Sequence, residues 1–140
     1  MNILIVEDDF VCRTLLQKLL TSYGSCHIAS NGKEALTAFE QSLSKNDRYD
    51  LICLDIMMPE MDGQEALQKI RKLEDERKIG GTDIVKVIMI TALTDPKNIM
   101  KAFIKGHCEA YITKPIDPDQ LLAEMKKLGL IESDESTTID

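Results

Sequence analysis

YDLICLDIMMPEMDG, residues 49–63, decides the architecture. Its core, Leu51-Ile52-Cys53-Leu54, is apolar at every position, without the alternation of a half-exposed strand. A run of that length reads as a strand over Asp50–Leu54 covered on both faces, which parallel sheets flanked by helices require. The run stops at Asp55, and a few residues later Asp62 can cap a helix carrying Ala66, Leu67, Ile70 and Leu73 at helical spacing.

The same strand-then-helix unit repeats on either side. Further strands are expected over Asn2–Val6, Cys26–Ala29, Val85–Ile90 and Ala110–Ile112. A first helix is expected over Phe10–Tyr23, with Leu15, Leu16, Leu19 and Leu20 inward and a stop at Gly24. Asn31-Gly32 opens a second, with Ala35, Leu36 and Phe39 inward, and Ser42–Arg48 reads as the loop after it. Gly80-Gly81 breaks the third pattern. Asp95-Pro96 starts a fourth helix that ends at Gly106, and Asp117-Pro118 starts a fifth with Leu121, Leu122 and Met125 inward. Five such units predict an α/β fold with a doubly wound five-stranded parallel sheet. Residues 1–130 are expected to form one domain, and 131–140 an acidic, disordered tail.

Composition narrows the function. With 140 residues, 44% apolar and 29% charged, the chain has a globular balance. A net charge of −7 opposes constitutive nucleic-acid binding, which clustered Lys and Arg sustain, so protein partners are expected. No apolar run approaches the ~20 residues of a membrane span. The apolar start is too short for a signal peptide and lacks a basic beginning, so a cytoplasmic location is expected. Cys12, Cys26, Cys53 and Cys108 show no CxxC spacing and read as reduced, buried small hydrophobes. A zinc site from Cys26-His27 and His107-Cys108 fails on geometry, because neighbours on a strand point to opposite faces.

In a doubly wound sheet the site lies beyond the carboxyl ends of the strands. Here those ends carry Glu7-Asp8-Asp9, Asp55, Thr91 and Lys114-Pro115. The acid triplet alone would more often cap a helix, and Lys114 alone would be a solvated lysine. Four strand ends delivering acids, a hydroxyl and an amine to one edge favour chemistry. Clustered carboxylates repel unless a cation sits among them, and all-oxygen ligation suits Mg²⁺. Asp55 is then the natural nucleophile for phosphoryl transfer, with Lys114 and Thr91 supplying a charge and a donor and the Met57 carbonyl completing the metal shell.

The segments ILIVEDD (3–9), YDLICLDIMMPEMDG (49–63), VIMITAL (87–93) and AYITKPID (110–117) resemble the response-regulator receiver family of two-component signalling, over about residues 2–128. The resemblance implies a flavodoxin-like (βα)5 fold of strand order 2-1-3-4-5. It implies that Glu7 and Asp8 bind Mg²⁺, that Asp55 is phosphorylated, and that Thr91 and Lys114 contact the phosphoryl group. Tyr111 matches an aromatic that moves inward on activation with Thr91. The face of the fourth helix, fifth strand and fifth helix matches the usual partner surface. Asp9 falls at a variable position, and Lys114-Pro115 is expected to be cis. A histidine kinase or phosphotransfer protein would donate, and a downstream protein target would read the switch. The start at Met1 just before strand one and the acidic tail favour a free-standing regulator, with a phosphorelay shuttle and a domain of a larger protein as the other readings. The long stretch Glu74–Lys86 departs from the family's shortest members, lacks their common proline before strand four, and is expected to be a longer helix or loop far from the site. Met57 and Leu93 replace polar groups that help position water in many relatives, which predicts slow dephosphorylation. A haloacid-dehalogenase-type phosphatase would want a second Asp where Met57 stands. Flavodoxin-like or dinucleotide binding would want a Ser/Thr-rich or Gly-rich loop where Glu7-Asp8-Asp9 stands.

Overall fold

The computed structural model describes residues 1–58, 60–92 and 108–132. Five strands, β1 (Asn2–Val6), β2 (Ser25–Ala29), β3 (Leu51–Asp55), β4 (Lys86–Ala92) and β5 (Ala110–Lys114), form one sheet of order β2-β1-β3-β4-β5. Every pairing is parallel. The described helices are α1 (Phe10–Leu20), α2 (Gly32–Ser44), α3 (Gly63–Glu76) and α4 (Pro118–Lys127), the last being the fifth helix of the sequence reading. The expected helix over residues 95–106, Leu93, and all but the first two residues of the tail lie outside the described residues.

The strands split the core in two. Leu4, Val6, Ile52, Leu54, Val87 and Met89 pack on one face with Phe39 of α2 and Leu67 and Ile70 of α3. Ile3, Ile5, Leu51, Cys53, Ile88 and Ile90 pack on the other with Leu16 and Leu20 of α1 and Leu121 and Met125 of α4. This two-sided burial is why β1, β3 and β4 carry apolar residues at nearly every position.

Several boundaries differ from the expectation. β3 runs one residue further than expected, so Asp55 is the last residue of the strand. The helix α1 ends at Leu20 and not Tyr23, and its buried line is Cys12, Leu16 and Leu20 while Leu15 is exposed. The helix α2 continues through Ser44, into the stretch expected as loop, and within it the buried Ser42 hydroxyl donates to the Phe39 carbonyl at 2.6 Å. After α3 the chain forms a loop, one of the two forms expected there, with a 3-10 turn over Gly81–Asp83; Ile79 N–H donates to Glu74 O at 2.9 Å and Lys78 takes a left-handed conformation, φ 59°.

Asn31, Asp62 and Asp117 each accept a backbone N–H at the start of α2, α3 and α4. The peptide bond Lys114-Pro115 is cis. All four cysteines are free, and burial pushes the Cys12 and Cys53 thiols up to about 12 and Cys108 to about 11, which keeps them protonated. Among the described residues no helix is long and apolar enough to cross a membrane.

Candidate functional site

Parallel strands end on the same edge of the sheet, and here the register sets the ends side by side. Val6 lies opposite Leu54, Asp55 opposite Ile90, and Ala92 opposite Lys114. The residues that follow or close these strands therefore converge. Glu7 is fully buried, Asp55 nearly so, Asp8 exposed. One carboxylate oxygen from each of the three lies within 4.8 Å of the others.

Lys114 bridges the buried pair. Its Nζ lies 3.4 Å from Asp55 Oδ2 and 3.3 Å from Glu7 Oε1 as a hydrogen-bond donor, and 3.3 Å from Glu7 Oε2 without hydrogen-bond geometry. Glu7 Oε1 also accepts the Asp9 N–H at 3.1 Å, whereas the buried Oε2 accepts no hydrogen bond. Asp55 Oδ1 accepts the Met57 N–H at 3.3 Å. The capping role open to the acid triplet is not taken up: Asp9 occupies the N-cap of α1 but its side chain makes no cap bond.

Burial, and then the Glu7 carboxylate beside it as hydrogen-bond partner and charge, push Asp55 up to about 7, and Lys114 only partly offsets them. For Lys114, burial alone would favour the neutral amine, but the charges of Asp55 and Glu7 outweigh it and the ammonium is held above its ordinary range. One amine for three carboxylates, with an unsatisfied buried oxygen facing the cluster, is a donor set that fits a small hard cation: oxygen-only, anionic and preassembled.

Were Mg²⁺ held there, a proton on Asp55 would compete with it. Apparent Mg²⁺ affinity should therefore rise with pH up to about 7 and then level off, losing up to about tenfold per unit below it. Calorimetric titration with Mg²⁺ between pH 5.5 and 8.5 checks this; a flat profile would mean that Asp55 holds no proton in that range.

Of the remaining predicted residues, Thr91 is fully buried near the end of β4, where its hydroxyl makes a long contact, 3.4 Å, with Ala92 O. Tyr111 is partly exposed on β5, opposite Met89. Met57 stands beside Asp55 and is 64% exposed. Sequence reasoning missed three features. Arg13 donates to Glu7 O at 3.3 Å and stacks over the Phe10 ring, 5.6 Å from its centroid. Phe10 and Val11 are 68% and 73% exposed, an apolar rim beside the acids, next to a cavity of about 380 Å³ lined by Val11, Cys12, Leu15, Lys114 and Pro115 among others. Gly63, the first residue of α3, lies so close behind Asp55 that a Cβ there would sit 2.2 Å from Asp55 O. Only the close approach had a sequence signal, a glycine following the Asp62 cap.

Comparison with known proteins gives a consistent result. The family model for the response regulator receiver domain matches residues 3–126. The probable transcriptional regulator ycf29 of Porphyra purpurea is 37% identical over 128 residues, covering 91% of this chain and 56% of that protein. The chain thus spans about half the length of the curated relatives it matches, 56% and 52% for the two ycf29 proteins. Among solved structures, a chain of the Saccharomyces cerevisiae complex of the histidine phosphotransfer signaling protein Ypd1 with the receiver domain of its downstream response regulator Ssk1 is 28% identical, with TM-score 0.77 and coverage of 92% of this chain and 88% of that one. The receiver domain of a sensor histidine kinase from Pseudomonas aeruginosa, with a magnesium ion coordinated in its active-site cleft, is 28% identical with TM-score 0.72, covering 91% and 97%.

Proposed function

The chain belongs to the response regulator receiver family of two-component signalling, and from that premise we propose that it is a Mg²⁺-dependent phosphoacceptor switch whose acceptor is Asp55. The observation that carries the reading is the convergence on Asp55: a buried carboxylate at the tip of β3, with Glu7 and Asp8 beside it and the Lys114 ammonium 3.4 Å away.

Glu7, Asp8 and Asp55, with the Met57 carbonyl, would hold Mg²⁺, which supplies positive charge to the phosphoryl oxygens when bound. An Asp55 oxygen attacks the phosphorus of a phosphohistidine on a histidine kinase or phosphotransfer protein. The O–P bond forms as the P–N bond breaks, and the departing imidazole takes up a proton. Lys114 turns its ammonium from Asp55 to a phosphoryl oxygen, and the Thr91 hydroxyl donates to another. Phosphorylation adds nearly two negative charges here, and a Thr91 drawn toward them leaves room for Tyr111 to move inward. That movement would alter the face that includes β5 and α4, which a downstream protein target reads. The exposed Phe10, Val11 and Met57 side chains beside the site support docking of a protein, and the net charge of −7 supports neither nucleic acid nor an anionic membrane as partner. A cytoplasmic regulator is the role proposed.

Incorporation of radiolabelled phosphate from acetyl phosphate, dependent on Mg²⁺ and abolished by chelation, tests the chemistry; no incorporation under those conditions would refute it. The lifetime should be long. A hydrolytic water needs polar groups to line it up, and Met57 offers only a thioether, a weak acceptor. Met57→Asn should speed decay of the phosphorylated protein several-fold in Mg²⁺. Equal half-lives for variant and wild type would remove Met57 from control of water access.

A further inference from the structure

At the end of the sheet opposite the acids, a second set of charged side chains is buried without a role in the proposed chemistry. Arg71 and Glu74 project from α3, and Glu109 precedes β5; their side chains are 13%, 3% and 17% exposed. Arg71 Nη1 donates to Glu74 Oε1 at 2.8 Å, and Nη2 lies 3.0 Å from both Glu109 oxygens. Buried charges persist only where they are paired and hydrogen-bonded, so this cluster must satisfy something.

What it satisfies is backbone. Lys86 N–H donates to Asp50 O at 3.1 Å, toward β3, so the alternate residues Val85 and Val87 direct their N–H and C=O groups to the β5 side. The ladder with β5 begins only at Ala110, opposite Ile88. Side chains take the place of the missing strand. Val85 N–H donates to Glu74 Oε2 at 2.7 Å, Val85 O accepts from Arg71 Nη1 at 2.9 Å, and Val87 N–H donates to Glu109 Oε2 at 2.6 Å. Val87 O takes the Glu109 N–H at 3.1 Å. Every one of these four groups is paired, in a connection that lacks the proline the family often places there.

We propose that Arg71, Glu74 and Glu109 form a register lock for β4 and β5, and so act as positioning residues for Thr91 and Lys114 at the far ends of those strands. Val87 and Thr91 are about 13 Å apart along one strand at ~3.3 Å per residue. A one-residue slip of β4 would turn Thr91 to the opposite face and break the Ala92–Lys114 pairing. The lock has no member on β1, which pairs with β2 and β3 and leads into Glu7 and Asp8, and although Asp55 meets Ile90 of β4, the β1–β3 pairing also holds its strand. The lock therefore predicts a split: phosphoryl uptake depends on it and metal binding does not. This rests on the phosphoacceptor reading for its kinetic arm only.

The test compares Arg71→Met and Glu109→Gln with wild type in the full chain. Amide hydrogen exchange should accelerate tenfold or more across β4–β5 in Arg71→Met while β1–β2 stays protected. Uptake from acetyl phosphate at saturating Mg²⁺ should fall about tenfold, with the Mg²⁺ Kd unchanged within about twofold. Glu109→Gln keeps an acceptor for Val87 N–H and loses the charge pairing, so it should show the same split at smaller amplitude, and it carries the test if Arg71→Met does not fold. Exchange that rises evenly over all strands, or uptake and Mg²⁺ affinity that fall together, would reduce the cluster to general stability and overturn the proposal, as would no change at all. A wild-type protein that takes up no phosphate refutes the phosphoacceptor reading instead, and the exchange pattern then decides the lock alone.

Discussion

Asp55→Asn should take up no phosphate from acetyl phosphate or from a phosphorylated partner at any Mg²⁺ concentration. The carboxylate oxygen is the atom that would bond to phosphorus, and an amide cannot form the acyl phosphate. The variant should still fold. Burial and the neighbouring Glu7 push Asp55 toward its neutral form, and Asn is a neutral side chain of the same shape. Loss of uptake would then be a loss of chemistry and not of structure, which a retained thermal transition would verify. Uptake at the wild-type level would place the acceptor elsewhere.

Gly63→Ala should destabilise the protein and damage the site together. The new Cβ would meet Asp55 O at 2.2 Å, Asp55 C at 2.9 Å and Ile56 Cα at 2.9 Å. All three are backbone atoms of the segment that ends β3, so no flexible side chain can move aside, and the hydrogen bond from Gly63 N–H to Ile56 O, 2.9 Å, holds the two segments together. Overpacking of this kind costs about 1–3 kcal/mol, and contact with backbone puts it at the upper end or beyond. Because the displaced atoms belong to Asp55 itself, Mg²⁺ affinity should fall as well. Gly80→Ala is the control: a Cβ there meets nothing within 4 Å, and φ is −150°. Urea unfolding of both variants decides the matter, since equal midpoints would mean that the approach at Gly63 relaxes without cost.

How far the sequence could be read depended on the range of the interaction. Strand β1 was legible to the residue, because its apolar run is bounded by Met1 and the acids and local pattern alone delimits it. The convergence of the candidate residues was legible because a parallel sheet brings all carboxyl ends to one edge, whatever the side chains do. The stripe of α1 was misread at Leu15: with Cys12 counted as apolar, the spacing i, i+4, i+8 picks out Cys12, Leu16 and Leu20, and Leu15 turns out to line the cleft beside Lys114. Contacts between distant residues left no trace in local pattern. Lys114 and Glu7 are 107 positions apart, and Arg71 and Glu109 are 38 apart. From sequence the stretch Glu74–Lys86 reads only as a longer helix or loop, whereas Glu74 is a buried acceptor for the Val85 N–H.

The sheet also divides the molecule energetically. Leu4 and Ile5 are adjacent in sequence, yet one belongs to the cluster under α2 and α3 and the other to the cluster under α1 and α4. A cavity opened by shortening Leu4 has no side chain in common with one opened by shortening Ile5, so neither can be filled by relaxation of the other's lining. Truncations on opposite faces should accordingly sum, while two directly opposed on one face, such as Leu4 with Ile52, should not. Non-additivity in a set of double variants thus becomes a map of which side of the sheet each residue serves.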